Sequence, residues 1–387
     1  MKPAERIGRL GVEGAFDVLS RAQALEAKGR HIIHLEIGEP DFPTPPHIVE
    51  AGKKALDDGF THYGPTMGLP KLREAIARDV AVTRGIRVDA SQVCITPGAK
   101  PALFYAMLAM LEKGDEVLLP DPGFPIYASL ARYLEAVPIA VPLVESRQFS
   151  FDLNFLADHL TPRTKMVILN SPHNPTGGVM PADEVRELAG LLLDRDIVVV
   201  SDEIYRTIYF GEAAPMSISS VPGMAEKTIL IDGFSKSHAM TGWRLGYGVY
   251  PDWLTNAVSK LVVNSNSCTA SFVQMAGVAA IEGPRTECDQ MVAEFRKRRD
   301  SFVSWLTGIP GFTCIVPDGA FYAYPKVEHA GMNAGDLANS LLTDAGVACL
   351  AGGAFGGNGG SNLRFSMANS LYNLELAAKR ILHYMNT

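Results

Sequence analysis

The chain is poor in cysteine. Five are spread over 387 residues, at positions 94, 268, 288, 314 and 349. The count is odd and no two have CxxC spacing. Disulfides and a thiolate zinc site are therefore not expected, and a reducing, cytoplasmic setting is. Long apolar runs are also missing. The longest, Pro101 to Leu111, is too short to cross a bilayer. The opening residues, MKPAERIGRLGVEG, lack the apolar core of a secretory signal. Positive charge is scarce: the formal net charge of −7 argues against a nucleic-acid surface. The one basic cluster, Arg296, Lys297, Arg298 and Arg299, reads as a solvated helix face. No GxGxxG follows a strand, so a nicotinamide site has no support. The glycine-rich 352–360 stretch reads as a flexible loop. There is no internal repeat.

What is present fits a soluble globular protein. Apolar residues make up 47% and charged residues 20%, ordinary values for a globular chain. The length exceeds one ordinary core and suggests two domains. Residues 17–30 have helical spacing of Val18, Ala22 and Leu25, closed by Gly29. A short strand is expected over 31–37, and helices over 48–58 and from Pro70. From Gln92 strands and helices alternate. VCITPGAKPALFYAMLAML is a strand, a glycine turn and an apolar helix, with Pro101 suited to the first helical position. Gly98, Ala99 and Lys100 then lie at a helix N-terminus, where free amides attract anions.

Further strands are expected over 116–120, 165–170, 196–205 and 228–232. The last three end near residues 170, 201 and 232, roughly the thirty-residue repeat of a βαβ unit. The apolar run within 196–205 suits a parallel strand buried on both faces. These features predict an open, mostly parallel α/β sheet with ligands at the carboxyl ends of its strands. After Pro251 a broken helical stretch runs to about Leu306. Beyond it, short strands and helices (PDGAFYAYPKV, residues 336–345, LRFSMAN) are expected to form a smaller domain, with the boundary near residue 281.

Chemistry concentrates in TILIDGFSKSHAMTGWRLGYG. Lys236 stands just past a strand end, where a desolvated amine can lose its proton and add to a carbonyl. Arg244 follows, and its planar fork suits a phosphate. Asn174, Asp202 and Lys236 fall past the ends of three successive strands, on one edge of one sheet. Singly, each has an ordinary explanation as a turn former, a helix cap or a solvated lysine. Their joint placement points to a site.

The motifs GEPDFPTP, HYGPTMGLPKLR, ITPGAKPALFYAML, DPGFPIY, NSPHNPTGG, SDEIY, GFSKSHAMTGWRLGYG, PDGAFYAY and LRFS stand in this order along nearly the whole chain. In them the sequence resembles the class I pyridoxal 5′-phosphate (PLP) aminotransferases of fold type I, most of all their aspartate/aromatic branch. The resemblance implies an α/β fold with a large PLP-binding domain over 38–280. The smaller domain would combine an N-terminal arm, 1–37, with the C-terminal part, 281–387.

It also implies roles. Lys236 is similar to the Schiff-base lysine that moves protons as general acid and base. Asp202 matches the partner of the pyridine nitrogen, and Asn174 and Tyr205 match donors to the cofactor's 3′-oxygen. Gly98, Ala99, Lys100, Ser235 and Arg244 match the phosphate cup, with one departure: some relatives carry serine where this chain has Gly233. Phe124 matches the aromatic that stacks on the ring. Arg364 matches the arginine that grips the substrate α-carboxylate, and Gly38 the loop glycine beside it. Tyr63 matches a tyrosine that reaches the phosphate of a neighbouring subunit, which implies a homodimer with shared active sites; its own residue type suggests only a buried aromatic.

Lys100 reads as a solvated first-turn lysine or, as in some relatives, as the group that binds a distal substrate carboxylate. Phe16 in the arm is placed to cover the pocket. The resemblance implies ping-pong transfer of an amino group from an amino acid to a 2-oxo acid, with aspartate, glutamate, aromatic and neutral donors all open. A PLP C–S β-lyase on the same fold shares Lys236, Asp202 and Arg364 and is the alternative. A PLP-binding transcription regulator would need a basic winged helix ahead of GEPDF, and the stretch preceding that motif is not basic.

Overall fold

A computed structural model describes residues 1–329 and 331–386. At its centre lies an eight-stranded sheet: β1 (Val93–Thr96), β2 (Glu116–Asp121), β3 (Val137–Val144), β4 (Ser150–Phe151), β5 (Thr164–Asn170), β6 (Val198–Asp202), β7 (Thr228–Gly233) and β8 (Gly246–Val249). Their order across the sheet is β1-β8-β7-β6-β5-β2-β3-β4. The run β7-β6-β5-β2-β3 is parallel. β8 runs antiparallel between β7 and β1, and β4 is antiparallel at the far edge. The fold is therefore α/β with a mixed, mostly parallel sheet.

Alternation of side chains along the strands feeds two layers. Ile168, Val200, Ile229 and Ile231 face a core shared with helices Ala99–Met110 and Asp252–Val263. Val167 and Val199 face the opposite way, against helix Ala182–Leu192. Leu230 and Tyr247 meet helices Pro70–Arg84 and Ser271–Glu282. Each fully buried Val, Ile or Leu contributes about 1.5–3 kcal/mol, so this two-sided burial holds the strand ends in register. Asn170 pairs with Asp202, and Asp202 with Ile231.

Residues from both ends of the chain share a separate core. Ile33–His34 pairs in parallel with Val347–Ala348. Ile33 and Leu35 pack with Phe302, Leu306, Leu363, Phe365 and Ile381. Beside it, Leu363–Ser366 lies between Tyr322–Ala323 and Leu350–Ala351 in a small antiparallel sheet. Among the described residues no helix is long and apolar enough to cross a membrane, and all five cysteines are free.

Several elements differ from the sequence expectation. The first long helix is Gly14–Glu26 and the strand after it only Ile33–His34, because pairing, not apolarity, limits that strand. β6 stops at Asp202, where the chain turns so that Ser201, Ser217 and Arg84 can hold the buried Glu203 carboxylate. The helix after β1 begins at Ala99, so Pro101 is its third residue, still among the positions whose N–H has no helical partner. The 352–360 stretch folds into two short turns, Gly352–Phe355 and Gly357–Gly359. Asp121 accepts the Asn358 N–H there, and Phe355 accepts the Gly123 N–H.

The basic cluster is not a uniformly solvated face. Arg298 is buried against Asp41 and Glu294, and Arg299 lies over Phe210, while Arg296 and Lys297 are exposed. Three strands of the large sheet escaped the sequence pattern: β4, only two residues long, and β3 and β8. β3 carries Pro138 and Pro142, and β8 is half glycine, both compositions that disguise a strand.

Candidate active site

At the carboxyl edge of the parallel strands lies a cavity of about 480 Å³. Four strand ends and the loops after them supply its floor. β1 leads into Ala99 and Lys100, β5 into Asn174, β6 into Asp202 and Tyr205, and β7 into Ser235 and Lys236. The turn after β2 adds Phe124. Arg244, Arg364, Gly38 and Phe16 complete the lining drawn from the expected residues. Gly98 lies directly behind it as the residue before the helix. Tyr63 does not line the cavity. It is not the buried aromatic its residue type suggests: 91% of its surface is exposed.

Lys236 is enclosed by protein except where it faces the cavity. Burial dominates its chemistry and pulls its pKa down to about 8. Arg364, Lys100 and Arg244 push the same way and Glu39 opposes them. Its ammonium donates to the Gly38 carbonyl and sits 5.9 Å from the Phe321 ring centroid. Asp202 is buried at the end of β6. Desolvation pushes its carboxyl up to about 6, with the charges of Asp232 and Glu203 adding to the rise. It accepts the Tyr127 hydroxyl at 2.7 Å and the Ile204 N–H at 3.3 Å, and both bonds favour its ionised form.

Tyr205 and Tyr322 share a hydrogen bond of 2.8 Å between their hydroxyls. Burial raises the pKa of both phenols, Tyr205 well above its ordinary value. Asn174 accepts from Arg364 Nη1 at 3.1 Å through Oδ1 and its backbone N–H donates to Asn170 Oδ1 at 3.0 Å, which leaves its side-chain Nδ2 with no protein partner among the described residues. Arg364 itself is buried on the strand Leu363–Ser366. Nη2 donates to the Glu36 carbonyl, its plane lies 4.5 Å from the Tyr322 centroid, and Nε has no partner. A side chain on Gly38 would collide with the Tyr322 hydroxyl, so the glycine lets the loop come close to this group.

The other end of the cavity is shaped for an anion. Gly98 has φ +91°, which brings the helix start under Arg244, and a Cβ there would strike the guanidinium. Arg244 follows a tight turn in the left-handed region and is aimed by bonds to the carbonyls of Thr241, at 2.8 Å, and Pro97. The first-turn amides of Ala99 and Lys100 face the same region. Gly233 now has a packing reason: a Cβ would come within 3.0 Å of Gly246 Cα and 3.2 Å of the Leu245 carbonyl. The serine of some relatives therefore does not fit this backbone without movement.

Lys100 is neither a free solvated lysine nor an open cation. Its ammonium pairs with Glu13, immediately ahead of helix Gly14–Glu26, and lies 5.4 Å from the Phe124 centroid.

Among the lining residues that sequence reasoning passed over are Tyr127, Tyr322, Glu13 and Thr241. Tyr127 and Tyr322 stand inside quoted motifs, DPGFPIY and PDGAFYAY, so the signal was present but unassigned. Glu13 carried none. Thr241 is the second hydroxyl near Lys236 but donates to Glu39. Among the described residues no group of three or more His, Cys, Asp or Glu could hold a metal ion.

Comparison with known proteins places the whole chain in one family. The aspartate aminotransferase of Geobacillus stearothermophilus is 38% identical over 391 residues, covering 100% of this chain and 99% of that one. The aromatic-amino-acid aminotransferase 2 of Thermococcus litoralis is 35% identical over 380 residues, 97% of this chain and 96% of that one. The crystal structure of the aspartate aminotransferase from Rhizobium meliloti superposes with a TM-score of 0.95 at 33% identity, covering 100% of this chain and 99% of that one. The family model "Aminotransferase class I and II" matches residues 30–381. The chain belongs to that family.

Proposed function

We propose that the protein is a PLP-dependent aminotransferase. It moves an amino group from an L-amino acid, with an acidic, aromatic or neutral side chain, to a 2-oxo acid such as 2-oxoglutarate, by a ping-pong mechanism. One observation carries the reading: a buried amine of lowered pKa, Lys236, shares a cavity with a buried carboxylate, Asp202, and a buried guanidinium, Arg364.

The residues fit the cofactor. The anion cradle of Gly98, Ala99, Lys100, Ser235 and Arg244 suits its phosphate, and Phe124 offers a ring face. Asp202 is a carboxylate in want of a cationic partner at the far end. PLP supplies an aldehyde for amines and a conjugated ring that takes up the electron pair released at the substrate Cα.

The chain supplies the rest. With its pKa near 8, Lys236 is partly neutral at physiological pH, so it can hold the aldehyde and later accept the Cα proton and return it. Asp202, ionised, would hold the ring nitrogen of the cofactor in its protonated form. Tyr205 and the Asn174 side-chain Nδ2 would donate to the cofactor's ring oxygen. Arg364, fixed by Asn174 and the Glu36 carbonyl, grips the α-carboxylate beside Gly38. Ala15 and Phe16 of the arm line the mouth, where Phe16 is placed to cover a bound substrate.

Tyr63, exposed on a loop outside the cavity, supports a homodimer in which it completes the partner's phosphate site. The reading extends to a large domain over 38–280 and a smaller one built from 1–37 and 281–387. The shared core of Ile33, Leu35 and the C-terminal segments supports that division. Five free cysteines suit the cytoplasm.

A half-reaction screen tests the proposal. The cofactor-loaded protein should absorb in the visible, and a true donor should bleach that band and release its 2-oxo acid. If no amino acid does so, the reading fails. Release of pyruvate and a free thiol from a cysteine conjugate without an acceptor acid would establish the β-lyase instead, which the aminotransferase relatives do not favour.

A further inference from the structure

We propose that Glu13 sets the donor specificity of the mouth: its carboxylate occupies the Lys100 ammonium and directs the pocket toward amino donors with uncharged side chains. The inference rests on the aminotransferase reading of the cavity.

Four cationic side chains line this space, and three are committed, Lys236 to the cofactor aldehyde on the proposed reading. Arg364 is fixed by Asn174 and the Glu36 carbonyl. Arg244 is turned over Gly98 by the Thr241 and Pro97 carbonyls. Lys100 alone could meet a second carboxylate on the donor, and Glu13 already holds it. An acidic donor therefore meets a neutralised cation and the like charge of Glu13, a repulsive element of the kind that builds specificity. An uncharged side chain disturbs neither and gains contact with Phe16, Ala15 and Phe124, which line the same wall.

Helix formation does not explain Glu13. It occupies the position before the first turn of Gly14–Glu26, yet its carboxylate accepts no hydrogen bond from the turn's amides. Glutamate is also not among the residues that cap helices well. The side chain reaches across to another element instead. The pair is partly open to solvent, with side chains 45% and 27% exposed. Glu13 can thus be replaced without cutting into a core.

The test uses the cofactor-loaded, full-length enzyme and Glu13→Gln. The ratio of kcat/KM for L-aspartate or L-glutamate to that for L-phenylalanine should rise at least about tenfold, the effect of a like charge removed from a binding site. Adding Lys100→Ala should return the ratio to the wild-type value or below. Independently of turnover, succinate should raise the Tm of the loaded Glu13→Gln protein more than that of the loaded wild type. A ratio unchanged or lowered in Glu13→Gln, or equal succinate shifts, overturns the role of Glu13 while leaving the transaminase reading intact. A wild type that transaminates no donor overturns that reading, and the role of Glu13 with it.

Discussion

On the floor of the cavity Asp202 and Tyr205 are almost wholly buried, and each is bonded to a residue from a different element. At the mouth Lys100 and Glu13 meet in a partly solvated pair and Phe16 leaves 62% of its surface exposed. The two regions obey different energetics. A charge on the floor feels desolvation first, so its ionisation is displaced: downward for the Lys236 amine, upward for the Asp202 carboxyl. A charge at the mouth is screened and acts through its partner. The floor can therefore hold a reaction constant while the mouth varies what enters.

The sharpest way to break this contrast is at Lys236. On the proposed reading Lys236→Ala removes both the covalent anchor and the proton carrier, so it should lower kcat/KM for the best donor by at least ~10⁴-fold. Full turnovers at wild-type rate would sink the assignment. Asp202→Ala comes next, with a loss of roughly 10³-fold, as for other groups that stabilise charge in a closed site. Steady-state kinetics checks both.

Tyr127→Phe should act through Asp202. The hydroxyl donates to an ionised carboxylate, a bond of about 1.5–3 kcal/mol, so activity should fall about tenfold or more. Because that bond favours the charged form, its loss should also move the acid limb of the pH–rate profile to higher pH. A loss of activity with an unmoved limb would make Tyr127 a packing residue only.

The smallest effect is on stability. In the cofactor-free protein, Lys236 has a folded pKa of about 8 against an ordinary 10.5. Its stabilising contribution is complete only above about 10.5 and is lost as the pH falls through 8. Lys236→Met should therefore stabilise the cofactor-free protein at pH 7 by about 1–3 kcal/mol, the lower end allowing for water in the cavity. The gain should shrink between pH 8 and 10.5. Denaturant titration across that range, with a gain independent of pH, would contradict the burial of the amine.

Much of the floor was legible in the sequence because it lies where local patterns end. β5, β6 and β7 are apolar runs that no helix pattern imitates; Asp202 is the last residue of β6, and Asn174 and Lys236 lie in the turns just after β5 and β7. At the mouth the resemblance offered Lys100 and Phe16, but not the contact that ties Lys100 down. Glu13 meets Lys100 only because the arm folds back over the sheet edge, a contact between residues far apart in sequence with no periodicity to announce it. Tyr322 was hidden for a related reason. Its strand is two residues long and exists by pairing with Ser366 and Phe365, so nothing local marks the side chain as facing Arg364. β3 and β8 failed through composition, since proline and glycine are the residues strands usually avoid.

The pairing of Ile33–His34 with Val347–Ala348 has a consequence for synthesis. A growing chain can build the sheet, with Lys236 and Asp202 in place, while its first strand still has no mate and Ile33 and Leu35 lie bare. Arg364 reaches the Glu36 carbonyl only when nearly the whole chain has left the ribosome. The nascent protein would own its reactive amine well before it could hold a substrate, and the early segment must be kept from other apolar company in the meantime.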